Sequence, residues 1–134
     1  MIAFDTNLLL RLTILDDAKQ AKAAGNIVEK ALESREDIYI NPVALSEFTW
    51  TLDRTYKANR REQAAAVRQF LDCPPYRMFD SKVVEAALDY FEDSKADFSD
   101  CLIGAMNKVL PVQTTYTFDK AAALLDVFTL PPKV

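Results

Sequence analysis

The chain has 134 residues, of which 50% are hydrophobic and 27% charged, which is the size and composition of a single globular domain, residues 1–134. It has no histidine and only two cysteines, which excludes His-dependent catalytic triads, a disulfide framework and the usual zinc sites. The net charge of −4 argues against a broad basic surface for nucleic acid.

Short apolar strands alternate with helical periodicity through the first half of the chain. The predicted elements are a buried strand at 2–4, a short helix at 7–15, a helix from Asp16 or Asp17 to about Ser34, a strand at 38–40 and a largely apolar helix beginning at Asn41-Pro42. Aspartate at the start of the long helix and proline early in the next are ordinary helix-start signals.

The second half continues the same alternation. Its predicted elements are a basic connection at 54–61, a helix at 63–72, a strand at 77–79, helices beginning at Ser81 and near Phe98, a strand at 112–118, a short helix at 120–125 and a strand at 127–130. Strands separated by helices predict an α/β fold with a parallel sheet covered on both faces. Only two glycines occur, which excludes a glycine-rich phosphate loop.

No signal-peptide pattern and no run of about 18 apolar residues is visible. The sequence therefore predicts a protein of the reducing cytoplasm with no membrane association. Cys73 and Cys101 are expected to be small, buried apolar residues.

Five acidic residues stand at places where folding alone seldom needs a carboxylate: Asp5, Glu47, Asp97, Asp100 and Asp119. Asp5 and Asp119 follow predicted strands, at the sheet end where α/β proteins bind ligands. Glu47 lies in an apolar helical stretch and is expected to be buried, where an unpaired carboxylate is costly. Crowded carboxylates raise one another's pKa or bind a cation, and an all-oxygen set favours Mg²⁺ or Mn²⁺.

Each acid also has a purely structural explanation. Three of them fit helix N-caps: Asp5, Asp97 and Asp119. Asp97 with Asp100 resembles a capping box, although an aspartate side chain is short for the reciprocal hydrogen bond. Glu47 fits either partial exposure or a salt bridge to Arg11 or Arg54.

Two further groups are candidates on weaker grounds. Thr6, Asn7 and Thr117 can orient the carboxylates, or serve only in turns and caps. A basic group after the Glu47 helix can contact an RNA backbone, or form a solvated loop. Its members are Arg54, Lys57, Arg60 and Arg61.

Four segments together resemble a known family, the PIN-domain proteins of the VapC toxin type. They are Phe4-Asp5-Thr6-Asn7-Leu8-Leu9-Leu10-Arg11 with Asp16-Asp17 behind it, Leu45-Ser46-Glu47-Phe48-Thr49-Trp50, Ala96-Asp97-Phe98-Ser99-Asp100-Cys101-Leu102-Ile103 and Thr117-Phe118-Asp119-Lys120-Ala121-Ala122. Their order and spacing span nearly the whole chain, which makes the resemblance specific.

The resemblance implies a three-layer α/β/α sandwich with a short parallel sheet. It also implies an Mg²⁺- or Mn²⁺-dependent endoribonuclease, commonly a homodimer, held inactive by a cognate antitoxin. By motif position Asp5, Glu47, Asp100 and Asp119 fall on the family's acidic quartet, and Asp97 matches an additional acid of one subgroup. Cys101 stands where the family commonly has a small residue such as alanine.

Two rival functions stay open at this stage. The chain can be a catalytically silent PIN module that acts through protein contacts, but none of the expected acids is missing. It can also be an aspartyl-phosphate receiver or phosphatase-like domain. Receivers need paired acids at the first strand, and the phosphatases need Asp-x-Asp where this chain has Asp5-Thr6-Asn7.

Overall fold

The computed structural model describes residues 1–134 and consists of two compact units, Met1–Ser81 and Lys82–Val134. Each unit combines helices with parallel strands. The predicted α/β fold with a short parallel sheet is therefore confirmed. That residues 1–134 act as a single domain stays a prediction. None of the helices is both long enough and apolar enough to cross a membrane.

The first unit contains a three-stranded parallel sheet in the order β1-β2-β3. Its elements are β1 (Ile2–Ala3), α1 (Thr6–Thr13), α2 (Ala18–Ser34), β2 (Ile38–Ile40), α3 (Pro42–Arg54), α4 (Arg60–Arg68) and β3 (Tyr76–Met78). Polar side chains begin its helices: Asp17 caps α2, Asn41 caps α3, and Asn59 with Glu62 forms a capping box on α4.

The core of this unit lies around β2 and the inner faces of its helices. Ile38 and Ile40 are fully buried, as are Phe48 of α3 and Phe70 after α4. Phe70 packs edge-to-face on Phe48, with ring centroids 5.7 Å apart. The prediction of a buried strand at residues 2–4 is wrong for Ile2 and Ala3, which are exposed in the edge strand β1, and right for the burial of Phe4, which follows the strand.

The second unit contains most of the remaining elements. They are α5 (Ser81–Glu92, which begins at the last residue of the first unit), α6 (Phe98–Lys108), β4 (Thr115–Tyr116), a short 3-10 helix (Ala122–Leu124) and β5 (Phe128–Thr129). β4 and β5 pair in parallel. The buried rings of Phe91 and Phe98 pack edge-to-face at 5.8 Å and join α5 to the start of α6.

The two cysteines differ in their surroundings. Cys101 is fully buried on α6, as predicted. Cys73 is exposed, so the prediction that it is a buried apolar residue is wrong. It lies between the exposed residues Asp72 and Pro74 in the connection from α4 to β3.

Candidate active site

Asp5 lies between β1 and α1 and caps the helix. Its backbone is extended (φ −78°, ψ 165°), and its Oδ1 accepts a hydrogen bond of 2.7 Å from the backbone N–H of Thr6. The side chain is exposed. Because the cap uses one carboxylate oxygen, the other oxygen stays available to a ligand.

Thr6 connects this strand end to Glu47. The Thr6 Oγ1 donates a hydrogen bond of 3.1 Å to Glu47 Oε1, across 41 residues of sequence. This contact joins the first residue of α1 to the middle of α3. The first unit therefore places Glu47 in contact with the residue that directly follows Asp5.

Glu47 is exposed rather than buried, which corrects the expectation drawn from its apolar neighbours. Two of those neighbours, Val43 and Trp50, lie on the same outward face of α3 and are themselves 66% and 55% exposed. Neither proposed arginine pairs with Glu47, since Arg11 bonds Asp16 and Arg54 lies beside Asp53. Glu47 therefore meets solvent with one oxygen held by Thr6.

Asp97 and Asp100 begin α6 in the second unit. Asp97 is the N-cap, and its Oδ1 accepts a hydrogen bond of 2.8 Å from the backbone N–H of Asp100. Only this half of a capping box forms, because an aspartate at the third helical position is short for the return bond. Asp97 is exposed, whereas Asp100 is half-buried. Of the two acids, Asp100 is therefore the one that lies partly covered by the rest of the protein.

The pKa of Asp100 is raised, first because burial penalises its ionised form. The negative charges of Asp97 and Asp119 raise it further, as does a hydrogen bond to Asp97. The carboxylates of Asp97, Asp100 and Asp119 therefore interact electrostatically in the second unit. Such crowding holds a proton or a cation more tightly than a lone surface carboxylate would.

Asp119 follows β4 and bonds to the backbone of the 3-10 helix, although Ala121, and not Asp119 as expected, occupies the N-cap position of that helix. Its Oδ1 accepts a hydrogen bond of 2.8 Å from the backbone N–H of Ala122, at the start of the 3-10 helix. Its own backbone N–H donates to Thr117 Oγ1 at 3.0 Å. Thr117 thus fixes the turn that carries Asp119, while Asp119 itself is exposed.

A comparison with protein families matches residues 2–126 to the PIN domain. The chain belongs to the PIN domain family. The six helices and short parallel sheet agree with the α/β/α fold of that family. PIN domains are generally nucleases and typically use divalent metals. No curated protein matches the chain.

The candidate acids of this PIN domain offer only oxygen donors to a divalent cation. No group of three or more acidic or cysteine side chains lies close enough together to hold a metal ion in the structure. The available donors are nonetheless carboxylate oxygens without histidine, which suit Mg²⁺ or Mn²⁺. Burial raises the pKa of Asp100 most, and the negative charges of Asp97 and Asp119 raise it further; a cation would offset that charge repulsion. In donor chemistry the residues therefore fit a hard cation.

The cause of the Asp100 shift can be tested with Asp97→Asn. Asparagine caps helices as well as aspartate does, so this change removes a charge and keeps the cap. We expect the pKa of Asp100 to fall toward its ordinary value, because one of the two nearby negative charges is lost. The pH dependence of the Asp100 carboxyl ¹³C chemical shift measures this. An unchanged titration midpoint would mean that Asp97 does not act on Asp100.

The basic group occupies the end of α3 and the start of α4. Arg54 is in the last turn of α3, Lys57 adopts a left-handed backbone (φ 55°), and Arg60 and Arg61 begin α4. Cations at a helix N-terminus oppose the helix dipole, so the dipole of α4 does not favour the two arginines. That this group contacts an RNA backbone stays a prediction.

Asn7 and Trp50 differ in the structure from what the sequence suggested for them. Asn7 is exposed and its side chain makes no hydrogen bond, whereas Thr6 and Thr117 both contact or position a candidate acid. The apolar pattern of this helix predicted that Trp50 would be buried, whereas it is exposed. Its spacing of three residues from Glu47 would have placed the two on one helical face.

Proposed function

We propose that this PIN domain is an Mg²⁺- or Mn²⁺-dependent endoribonuclease. Its catalytic set consists of Asp5, Glu47, Asp100 and Asp119, with Asp97 beside Asp100. The observation that carries the proposal is the family match over residues 2–126, which includes all five acids. Two contacts support it: Thr6, which follows Asp5, holds Glu47 by a hydrogen bond, and the charges of Asp97 and Asp119 act on Asp100.

We assign the roles from the position of each acid in the sequence segments that resemble the family. Asp5 and Asp100 would hold the principal metal, and Glu47 would contribute directly or through water. Asp119 would support a second metal or orient the attacking water. A bound metal would lower the pKa of the water that it coordinates and would stabilise negative charge on the phosphate.

The chain's own contribution is to fix and hold these oxygens. One carboxylate oxygen of Asp5 and one of Asp119 each accept a hydrogen bond from a backbone N–H. This bond limits the directions in which the other oxygen can point. Thr6 does the same for Glu47. With no histidine in the sequence, protons leave the site through carboxylates and water. Preorganised donors of this kind need little rearrangement during reaction.

Thr6→Val should weaken the site without unfolding the protein. It removes the hydroxyl that holds Glu47 while keeping a side chain of nearly the same shape. We expect RNA cleavage to fall by roughly 10- to 100-fold, as is typical when a group that orients a metal ligand is lost. Initial cleavage rates measure this. Thr6→Ser keeps the hydroxyl and should retain most activity; equal loss in both variants would contradict the role of the hydrogen bond.

Cleavage of structured RNA tests the proposed function itself. Wild-type protein is assayed with Mg²⁺ or Mn²⁺, with and without EDTA, beside Asp5→Asn and Asp100→Asn. Asp93→Asn is the matched control, because Asp93 is an exposed acid at the end of α5 and outside the set. Metal-dependent cleavage that both site variants lose and the control keeps supports the proposal. Metal-independent cleavage, or full activity in both variants, would overturn it.

We further propose that the chain is a VapC-type toxin, a homodimer in solution, inhibited by an antitoxin encoded beside it. The support is the order of the four sequence segments that resemble that group. Expression in a bacterial host should arrest growth, and Asp100→Asn should abolish the arrest. Sedimentation that shows only monomer at working concentration would count against the dimer. A silent PIN module gains no support, because all five acids are present.

A further inference from the structure

The outward face of α3 carries four residues in a continuous row: Val43, Glu47, Trp50 and Arg54. They are spaced four, three and four residues apart, which places them on one side of the helix. All four are exposed. The opposite side of α3 supplies the core through residues such as Phe48 and Leu52. The row is therefore a surface feature of the same helix that positions Glu47.

Trp50 and Arg54 form a cation–aromatic pair within this row. The guanidinium carbon of Arg54 lies 5.6 Å from the centroid of the Trp50 ring, within the range of a cation–π contact. Trp50 remains 55% exposed. The ion pair between Arg54 and Asp53 is long, at 3.7 Å, and exposed on both sides, so it stabilises little.

Single exposed apolar residues are common on protein surfaces, so exposure of Trp50 alone indicates nothing. Its neighbours make the difference. Glu47 lies three residues earlier on the same face, with Cβ atoms roughly 5–6 Å away for such a pair. Arg54 adds a positive charge on the other side. An exposed aromatic ring beside a cation is the combination that proteins use to hold an unpaired nucleobase next to its phosphate.

We propose that Trp50 is a stacking platform for an unpaired base of the RNA substrate, with Arg54 supplying positive charge to the adjoining phosphate; this inference rests on the proposed ribonuclease function. Stacking requires a base that is free of its partner strand. The proposal therefore names the substrate class as single-stranded RNA or the loop of a folded RNA.

The chain has one tryptophan, so its fluorescence reports on this ring alone. Wild-type protein is titrated with a single-stranded oligoribonucleotide, a blunt RNA duplex and an abasic ribose-phosphate oligomer, with Ca²⁺ replacing Mg²⁺ to limit cleavage. We expect saturable quenching with the single strand only. Affinity for the single strand, measured separately by anisotropy of labelled RNA, should fall roughly 5- to 150-fold in Trp50→Ala. Trp50→Phe should retain most of it.

Tyr90→Ala is the matched control, because Tyr90 also pairs with a cation, Lys108 at 5.8 Å, but on a helix without a candidate acid. Its affinity for RNA should equal that of wild type. Equal quenching by duplex and single strand, wild-type affinity in Trp50→Ala, or no RNA binding would each overturn the inference. The inference would also be overturned if the fluorescence changed with protein concentration alone and if Trp50→Ala altered the sedimentation. Those two results would assign the ring to a protein–protein contact. Metal-dependent RNA cleavage without quenching of Trp50 fluorescence would contradict only the stacking role of Trp50. Quenching without RNA cleavage would contradict only the proposed nuclease function.

Discussion

Asp100→Asn is expected to reduce RNA cleavage by about 100-fold or more while slightly raising thermal stability. The loss follows because a metal ligand contributes several kcal/mol to stabilising the transition state. The gain follows because Asp100 is half-buried beside Asp97 and Asp119, and its raised pKa means that folding disfavours its ionised form. Cleavage rates and melting temperatures of the two proteins at pH 7 measure both effects.

The sign of the stability change can be checked by pH. A carboxyl whose pKa is raised on folding takes up protons more readily in the folded state, so its destabilising effect is present above the folded pKa and disappears as the pH falls through it. The melting temperatures of wild type and Asp100→Asn should therefore converge at acid pH. A variant that is less stable than wild type at neutral pH would contradict the crowding of charge around Asp100.

Gly104→Ala is expected to destabilise the protein by about 1–3 kcal/mol, the usual cost of overpacking a filled core. A Cβ at this position of α6 would lie 2.7 Å from Val127 Cγ2 and 2.8 Å from Phe128 Cε2. Phe128 is buried, with 6% of its surface exposed, so its ring has little room to move. The better helix propensity of alanine, worth roughly 1 kcal/mol, offsets only part of that cost. Chemical denaturation with urea measures the difference.

Gly25→Ala is the matched control for this experiment. Gly25 also lies inside a helix, α2, but a Cβ there would meet nothing within 4 Å. Alanine should therefore stabilise the protein by roughly 0.5–1 kcal/mol through helix propensity alone. If both variants change stability in the same direction, close packing of α6 against β5 is not what requires glycine at position 104.

The helices were more predictable than the strands, because caps are local. Asp17, Asn41 and Ser81 mark helix starts within a residue of where they occur. The strand predicted at 112–118 contracts to Thr115–Tyr116, since its only partner, β5, offers two paired residues. The α4 helix begins earlier than predicted, as Asn59 and Glu62 form a capping box that precedes the apolar pattern.

The candidate site shows where sequence reasoning reaches its limit. The capping roles of Asp5 and Asp97 could be predicted because they involve residues at most three apart. The exposure of Glu47 could not, because Val43 and Trp50 are apolar residues on an outward face and look like core in a sequence. The contact between Thr6 and Glu47 spans 41 residues, and no local pattern encodes such a pairing.

Binding of Mn²⁺, followed by electron paramagnetic resonance of the free ion, tests most directly the proposal that Asp5 and Asp100 are both metal ligands. Wild type, Asp5→Asn, Asp100→Asn and the double variant are titrated at neutral pH, with Asp93→Asn as control. We expect the tightest Mn²⁺ site of wild type to be lost in either single variant, with no further loss in the double variant. Wild-type Mn²⁺ affinity in Asp5→Asn or in Asp100→Asn would contradict the proposed role of the substituted acid as a metal ligand.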